Sequence, residues 1–311
     1  MIVIAALIAV TKNIYGQCAC CAGAGSGSSG GDYSSNALTL KKKQFMIEGY
    51  ADYRTIMIMD EGGGHDMVDT LAPEETPLKS MMLNSIGVRY GITDKITVSA
   101  QIPYVLLTTT KGKDNGLGDL MLWSTFNILK KKNFNLALSA GVELPTGVQK
   151  GSRFDETTVV VGSGSIDPMA GVSFLKGWNR LSLQGNAMYR YTTRGFDEMT
   201  YSSVSIQNVG LAYAIKGHNT SCQQDTLCVQ HKFNWSVFGG YYGEYLSSIK
   251  EADGEYDANS GYYVGFATLG TAISAKGWSI PLTVSLPVFQ YMNGDQNMAG
   301  YRIRIGILKK F

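Results

Sequence analysis

From Gln44 onward the apolar and polar residues alternate with a period close to two, the spacing of a strand with one greasy and one wet face. Val98, Ala100, Ile102, Tyr104 and Leu106 oppose Thr97, Ser99 and Gln101. Phe134, Leu136, Leu138, Ala140, Val142 and Leu144 oppose Asn135, Ser139 and Glu143, and Trp278, Ile280, Leu282, Val284 and Leu286 oppose Ser279, Thr283 and Ser285. The last run, "YRIRIGILKKF", sets Arg302 and Arg304 against Tyr301, Ile303, Ile305 and Ile307. Twelve such runs follow one another, at 44–60, 78–92, 95–109, 117–129, 133–146, 164–176, 179–194, 204–216, 231–246, 261–275, 278–292 and 298–311. They exceed the five or six residues usual for soluble strands and suit the roughly 9–11 of a tilted membrane strand.

The connectors sort into two kinds. Thr93-Asp94, Lys130–Lys132, Lys176–Trp178 and Lys276-Gly277 predict tight turns, alternating with longer loops at 61–77, 110–116, 147–163, 195–203 and 247–260. Only 217–230 breaks the rule, being long where a short turn is expected. Short turns at one rim and long loops at the other are the asymmetry of bacterial outer-membrane barrels. The pattern therefore predicts an all-β fold, a 12-stranded antiparallel transmembrane β-barrel over 44–311, with short periplasmic turns and longer extracellular loops. Tyr53, Tyr90, Tyr104, Trp178, Tyr191, Tyr245 and Trp278, near strand ends, would form its interfacial girdles. A large soluble sandwich is the alternative, and the strand lengths and those aromatic positions weigh against it.

Composition agrees. Eighteen Tyr and 37 Gly accompany only 17% charged residues, too polar for a bundle of membrane helices. A net charge of +2 supplies no electrostatic attraction for nucleic acid. Residues 1–16 carry an apolar stretch of secretory length, which predicts a signal peptide. Residues 17–43 then form a Cys-rich and Gly/Ser-rich N-terminal segment.

Parity assigns the lumen. It takes Glu48, Tyr50, Asp52 and Arg54 from the first strand, Arg89 from the second, Glu143 from the fifth and Asp167 from the sixth. Arg190 and Arg194 follow from the seventh, Tyr242 and Glu244 from the ninth, and Arg302 and Arg304 from the last. In the other register an arginine at the bilayer midplane would cost about 2–4 kcal/mol. Closing the ring pairs the first and last strands, so Glu48 and Asp52 can meet Arg302 and Arg304 across the seam. A charge ladder that stiffens the lumen and a selectivity ring both fit this set, and both can hold at once. Twelve strands at about 4.8 Å spacing and about 40° tilt give a backbone radius on the order of 12 Å, so any free channel is narrow.

The segments "GLGDL" at Gly116–Leu120, "LPTG" at Leu144–Gly147 and "GVRYGITDKITVSAQIPY" before them resemble the outer-membrane transporter family named for the meta-pathway of phenol degradation. The resemblance implies a barrel and suggests passage of small solutes, aromatic or hydrophobic ones among the candidates. It transfers no binding residue. Asp119, within the first motif, reads first as a lumen carboxylate near the outer rim, paired with a cation on a neighbouring strand. The closing aromatic Phe311, after alternating apolar residues, resembles the signal read by the barrel-assembly machinery, with Lys309 departing from that pattern.

Cys18, Cys20 and Cys21 place three thiols in four residues, which could hold a soft ion such as Cu(I) or Zn(II), or dock a periplasmic protein partner; no other cofactor is implied. Cys222 and Cys228 sit in the anomalous connector, where pairing in an oxidising periplasm would be worth about 2.4 kcal/mol. The three histidines, His65, His218 and His231, all fall in or beside loops, which argues against Ser-His catalysis in the wall and against an enzyme. Two readings remain: a barrel that passes or binds a small solute, and a non-conducting barrel that anchors an envelope complex through its Cys-rich tail.

Overall fold

The computed structural model describes residues 37–57, 78–109, 112–147, 161–195, 198–217 and 233–311. Its strands are β1 (Phe45–Met57), β2 (Leu78–Thr93), β3 (Ile96–Thr109), β4 (Lys113–Leu117), β5 (Leu120–Lys131), β6 (Phe134–Leu144) and β7 (Asp167–Trp178), then β8 (Leu181–Arg190), β9 (Val204–Lys216), β10 (Phe233–Leu246), β11 (Tyr262–Ala275), β12 (Trp278–Met292) and β13 (Met298–Lys310). Every neighbouring pair is antiparallel, β1 pairs with both β2 and β13, and the β2–β3 pairing closes the ring. β4 covers the outer half of β3 from Tyr104 to Thr108 while β5 covers the inner half from Ile96 to Gln101. The two are pieces of one stave, so the thirteen segments make a closed ring of twelve. A ring has no second sheet to pack on, and the sandwich alternative falls with it.

Two expectations about connectors are corrected. Residues 113–116, expected in a loop, belong to β4 with Leu117, because the chain after Thr109 folds straight back onto β3. Several turns also lie slightly later than the polar residues suggested, at 94–95, 132–133 and 179–180. The last of these is placed by Asn179, which takes a φ of 48° more readily than most non-glycine residues would. At Lys276-Gly277 both residues have positive φ, 49° and 80°, the pattern of a two-residue type I′ hairpin. The signal peptide, the Cys-rich segment up to residue 36 and the Cys222–Cys228 connector lie outside the described residues.

The alternation sets the two faces. Outside, Ile86 (65% exposed), Leu269 (71%) and Val288 (62%) present bare apolar side chains, far more than water would tolerate on a monomer. All seven girdle aromatics named above are exposed. Inside, the outer half holds a buried apolar cluster that includes Leu83, Val105, Ile206, Leu246, Val264 and Phe266. The inner half is polar, with Ser99, Gln101, Asn127, Asn135, Gln184 and Thr283 all buried. Residues 37–43 cross the periplasmic mouth. Ala37 and Leu40 are buried there, Asn127 Nδ2 donates to Ala37 O at 2.9 Å, and Leu40 N–H donates to Thr97 Oγ1 at 2.8 Å.

Candidate functional site

The lumen side chains converge on two places. The first is built on β1, β13, β10 and β11. Arg302 grips Asp52 with two donors, Nη2 to Oδ2 at 2.5 Å and Nε to Oδ1 at 3.4 Å. Arg54 Nη2 reaches Asp52 Oδ2 and its Nη1 reaches Glu244 Oε2, each at 3.4 Å. Glu244 also accepts from Tyr242 at 2.8 Å and from Tyr262 at 2.7 Å. The Arg302 guanidinium lies 4.6 Å above the Tyr242 ring and 5.6 Å from that of Phe266. In ring order β13, β12 and β11 separate β1 from β10, so the Arg54–Glu244 contact is a chord across the lumen. Asp52 and Glu244 are each only 2% exposed. Buried charges of this kind are tolerable only with their partners in place.

Of the seam contacts expected from sequence, Asp52–Arg302 forms. Arg304 stacks over the Tyr50 ring at 4.3 Å, and Glu48 lies within electrostatic reach of Arg89 and Arg304. Arg89 Nε and Nη2 have no hydrogen-bond partner among the described residues, although the side chain is buried.

The second place lies opposite, on β5 to β8. Arg190 Nη1 donates to Glu143 Oε2, and both side chains are essentially inaccessible. Asp167 accepts from Thr193 N–H at 2.9 Å, which fixes the chain as it leaves β8. Beneath this layer the wall becomes small and soft. Ser139 pairs with Gly171 and Gly171 with Met188, while Ser173 faces Asn186. Together with Trp123 and Met169 these residues line a recess. Ser173 Oγ there has no hydrogen-bond partner among the described residues.

Two sequence expectations fail. Arg194 does not enter the lumen. β8 ends at Arg190, and the Arg194 side chain is 60% exposed in the loop beyond, where its Nη2 meets Glu198 at 3.0 Å. Among the described residues Asp119 is held by N–H and O–H donors and not by a cation. It accepts from Gly147 N–H at 2.7 Å, Ser163 N–H at 2.6 Å and Ser163 Oγ at 2.7 Å. It sits in the break between β4 and β5 and pins both ends of the long connector after β6. Side chains at Gly147 or Gly162 would collide with it and with each other's backbone. The "GLGD" and "LPTG" pieces are thus two halves of one loop clamp, and Leu120 N–H adds a bond to Thr146 Oγ1 at 2.8 Å.

Both halves of that clamp fall within residues 82–280, the span matched by the family profile described as "Putative MetA-pathway of phenol degradation". The chain belongs to that family. Comparison with curated proteins finds no match. Among solved structures, the barrel is similar to the COG4313 outer membrane channel from Pseudomonas putida F1, with a TM-score of 0.62, 12% identity and coverage of 88% of this chain and 98% of the other. At that identity the likeness speaks for the fold. Weaker likenesses are to the NanC porin, with a TM-score of 0.46, 11% identity and coverage of 85% and 100%, and to a monoaromatic hydrocarbon channel, the TodX deltaS2S3 mutant, with 0.44, 11%, 93% and 94%. The closed ring of twelve strands with its apolar outer face is that of an outer-membrane β-barrel.

Sequence reading missed two parts of the site. Parity places Glu244 in the lumen, yet nothing in strand spacing says that it crosses to Arg54. The tucked segment 37–43 reads as a tail in sequence; the short apolar word "ALTL" at Ala37–Leu40 was the available signal.

Proposed function

We propose that this barrel is a channel for small solutes, uncharged aromatic or hydrophobic ones among them. The observation that carries the reading is the lopsided lumen. Charged and aromatic side chains fill the chord from β1 to β10, whereas β5–β8 set Ser139, Gly171 and Ser173 beside an indole and two thioethers. Such a wall offers a planar solute sulfur and ring contacts without a fixed charge to desolvate. The apolar outer half of the lumen favours entry of the same solutes. We read the barrel as a conduit and not a catalyst, because Asp52, Glu143 and Glu244 are each engaged by an arginine.

Single-channel recording and liposome swelling with the purified full chain test this. Neutral aromatic solutes should swell liposomes faster than anions or cations of equal size. Failure of every solute to enter would leave only the anchoring role, in which Cys18, Cys20 and Cys21 hold a partner or a soft ion. Copper titration of the full chain against its Cys→Ser variant tests that role directly.

A further inference from the structure

The two rims of the barrel differ in charge. Among the described residues the rim of short turns carries Lys95, Lys130–Lys132, Lys176, Lys216, Lys276 and Lys309. Among the described residues its one acidic side chain at turn level, Asp94, accepts from Lys42 N–H at 2.8 Å. At the opposite rim exposed acids, Glu198, Asp253, Glu255 and Asp295, are mixed with exposed cations, Lys79, Lys113, Arg194 and Lys250.

The cations are not scattered over the mouth. Lys176 Nζ lies 5.5 Å from the Trp178 ring, Lys216 Nζ 5.5 Å from Phe233, and Lys309 Nζ 4.8 Å from Trp278 and 5.7 Å from Phe311. All four rings are exposed on the outer perimeter. Aromatic side chains at strand ends mark the level of the lipid headgroups, so these ammonium groups stand at that depth, facing outward. Two-residue turns such as Lys276-Gly277 hold these lysines at the membrane surface and not beyond it. Lysines seated on rings keep their stems in apolar surroundings and their heads toward phosphate.

We propose that this collar binds the anionic phospholipid headgroups of the leaflet around it, the lysines donating to phosphate oxygens. The test uses the full barrel in nanodiscs of phosphatidylcholine, with and without added phosphatidylglycerol. The anionic lipid should raise the thermal midpoint by several degrees, and high salt should abolish the gain. A Lys176→Gln, Lys216→Gln, Lys309→Gln variant should lose the gain, while Lys79→Gln with Lys113→Gln, at the other rim, should keep it. Native mass spectrometry of the unmutated barrel should retain phosphatidylglycerol over phosphatidylcholine, so the proposal stays testable if the triple variant fails to fold. An equal midpoint in both lipids, an undiminished gain in the triple variant, or the same gain from inorganic phosphate would each overturn it. The first of these outcomes would leave the collar to an acidic periplasmic protein.

Discussion

The two sides of the lumen handle the same problem differently. Between β1 and β10 the barrel fills its interior with four interlocked charges and three rings, every acid answered by an arginine or a tyrosine hydroxyl. Between β5 and β8 it keeps Arg190 and Glu143 together near the outer rim, and below that the wall is lined by Ser139, Gly171 and Ser173 beside Trp123, Met169 and Met188. The first arrangement braces the wall and occludes space. The second leaves room at the cost of leaving a buried hydroxyl, Ser173 Oγ, without a partner among the described residues. In a narrow barrel, packing and passage compete for the same volume, and here they are assigned to opposite staves.

The sharpest break in that contrast is Asp52→Asn. It leaves Arg54 and Arg302 buried with only Glu244 between them, and should cost about 3–5 kcal/mol in denaturant unfolding of the detergent-folded barrel. Single-channel conductance should rise as the chord loosens. Next comes Asp119→Ala, at the outer edge of the small-residue side. Losing three charge-assisted bonds should cost about 1.5–3 kcal/mol and make the connector after β6 more open to limited proteolysis. Ser139→Leu overfills the recess for about 1–3 kcal/mol, and should slow swelling by neutral aromatics more than by small ions. Smallest is Ser173→Ala, which removes an unpartnered hydroxyl and should move stability by no more than about 0.5 kcal/mol. A larger loss in unfolding would mean that the hydroxyl is bonded, for instance to lumen water.

Strand existence and facing were legible because a period of two is written residue by residue, and the arginines of β13 fix its register. The seam partner of Arg302 followed from closure, since the first and last strands must meet. What lay beyond local pattern was distance across the interior. No spacing rule brings Glu244 to Arg54, and none tells a tail from a segment folded under the mouth. Arg194 was misassigned because alternation continued past the point where β8 leaves the wall. Asp119 reads wrongly as a cation's partner because two of its three donors are backbone N–H groups, which a sequence does not display. The outward positions of the lipid-facing rings were legible; their role as seats for lysine was not, since lysines at the turns read simply as solvated.

Asp52 and Arg302 stand on the two strands that meet only when the ring shuts, and Arg302 also lies 3.9 Å from Glu244 on the far side. An unclosed sheet of the same strands would hold these groups apart, each facing its own desolvation. Their attraction therefore comes into play at the final zipping step. It acts as a latch that favours β13 finding its own β1 over recruiting a stray edge from a neighbouring molecule.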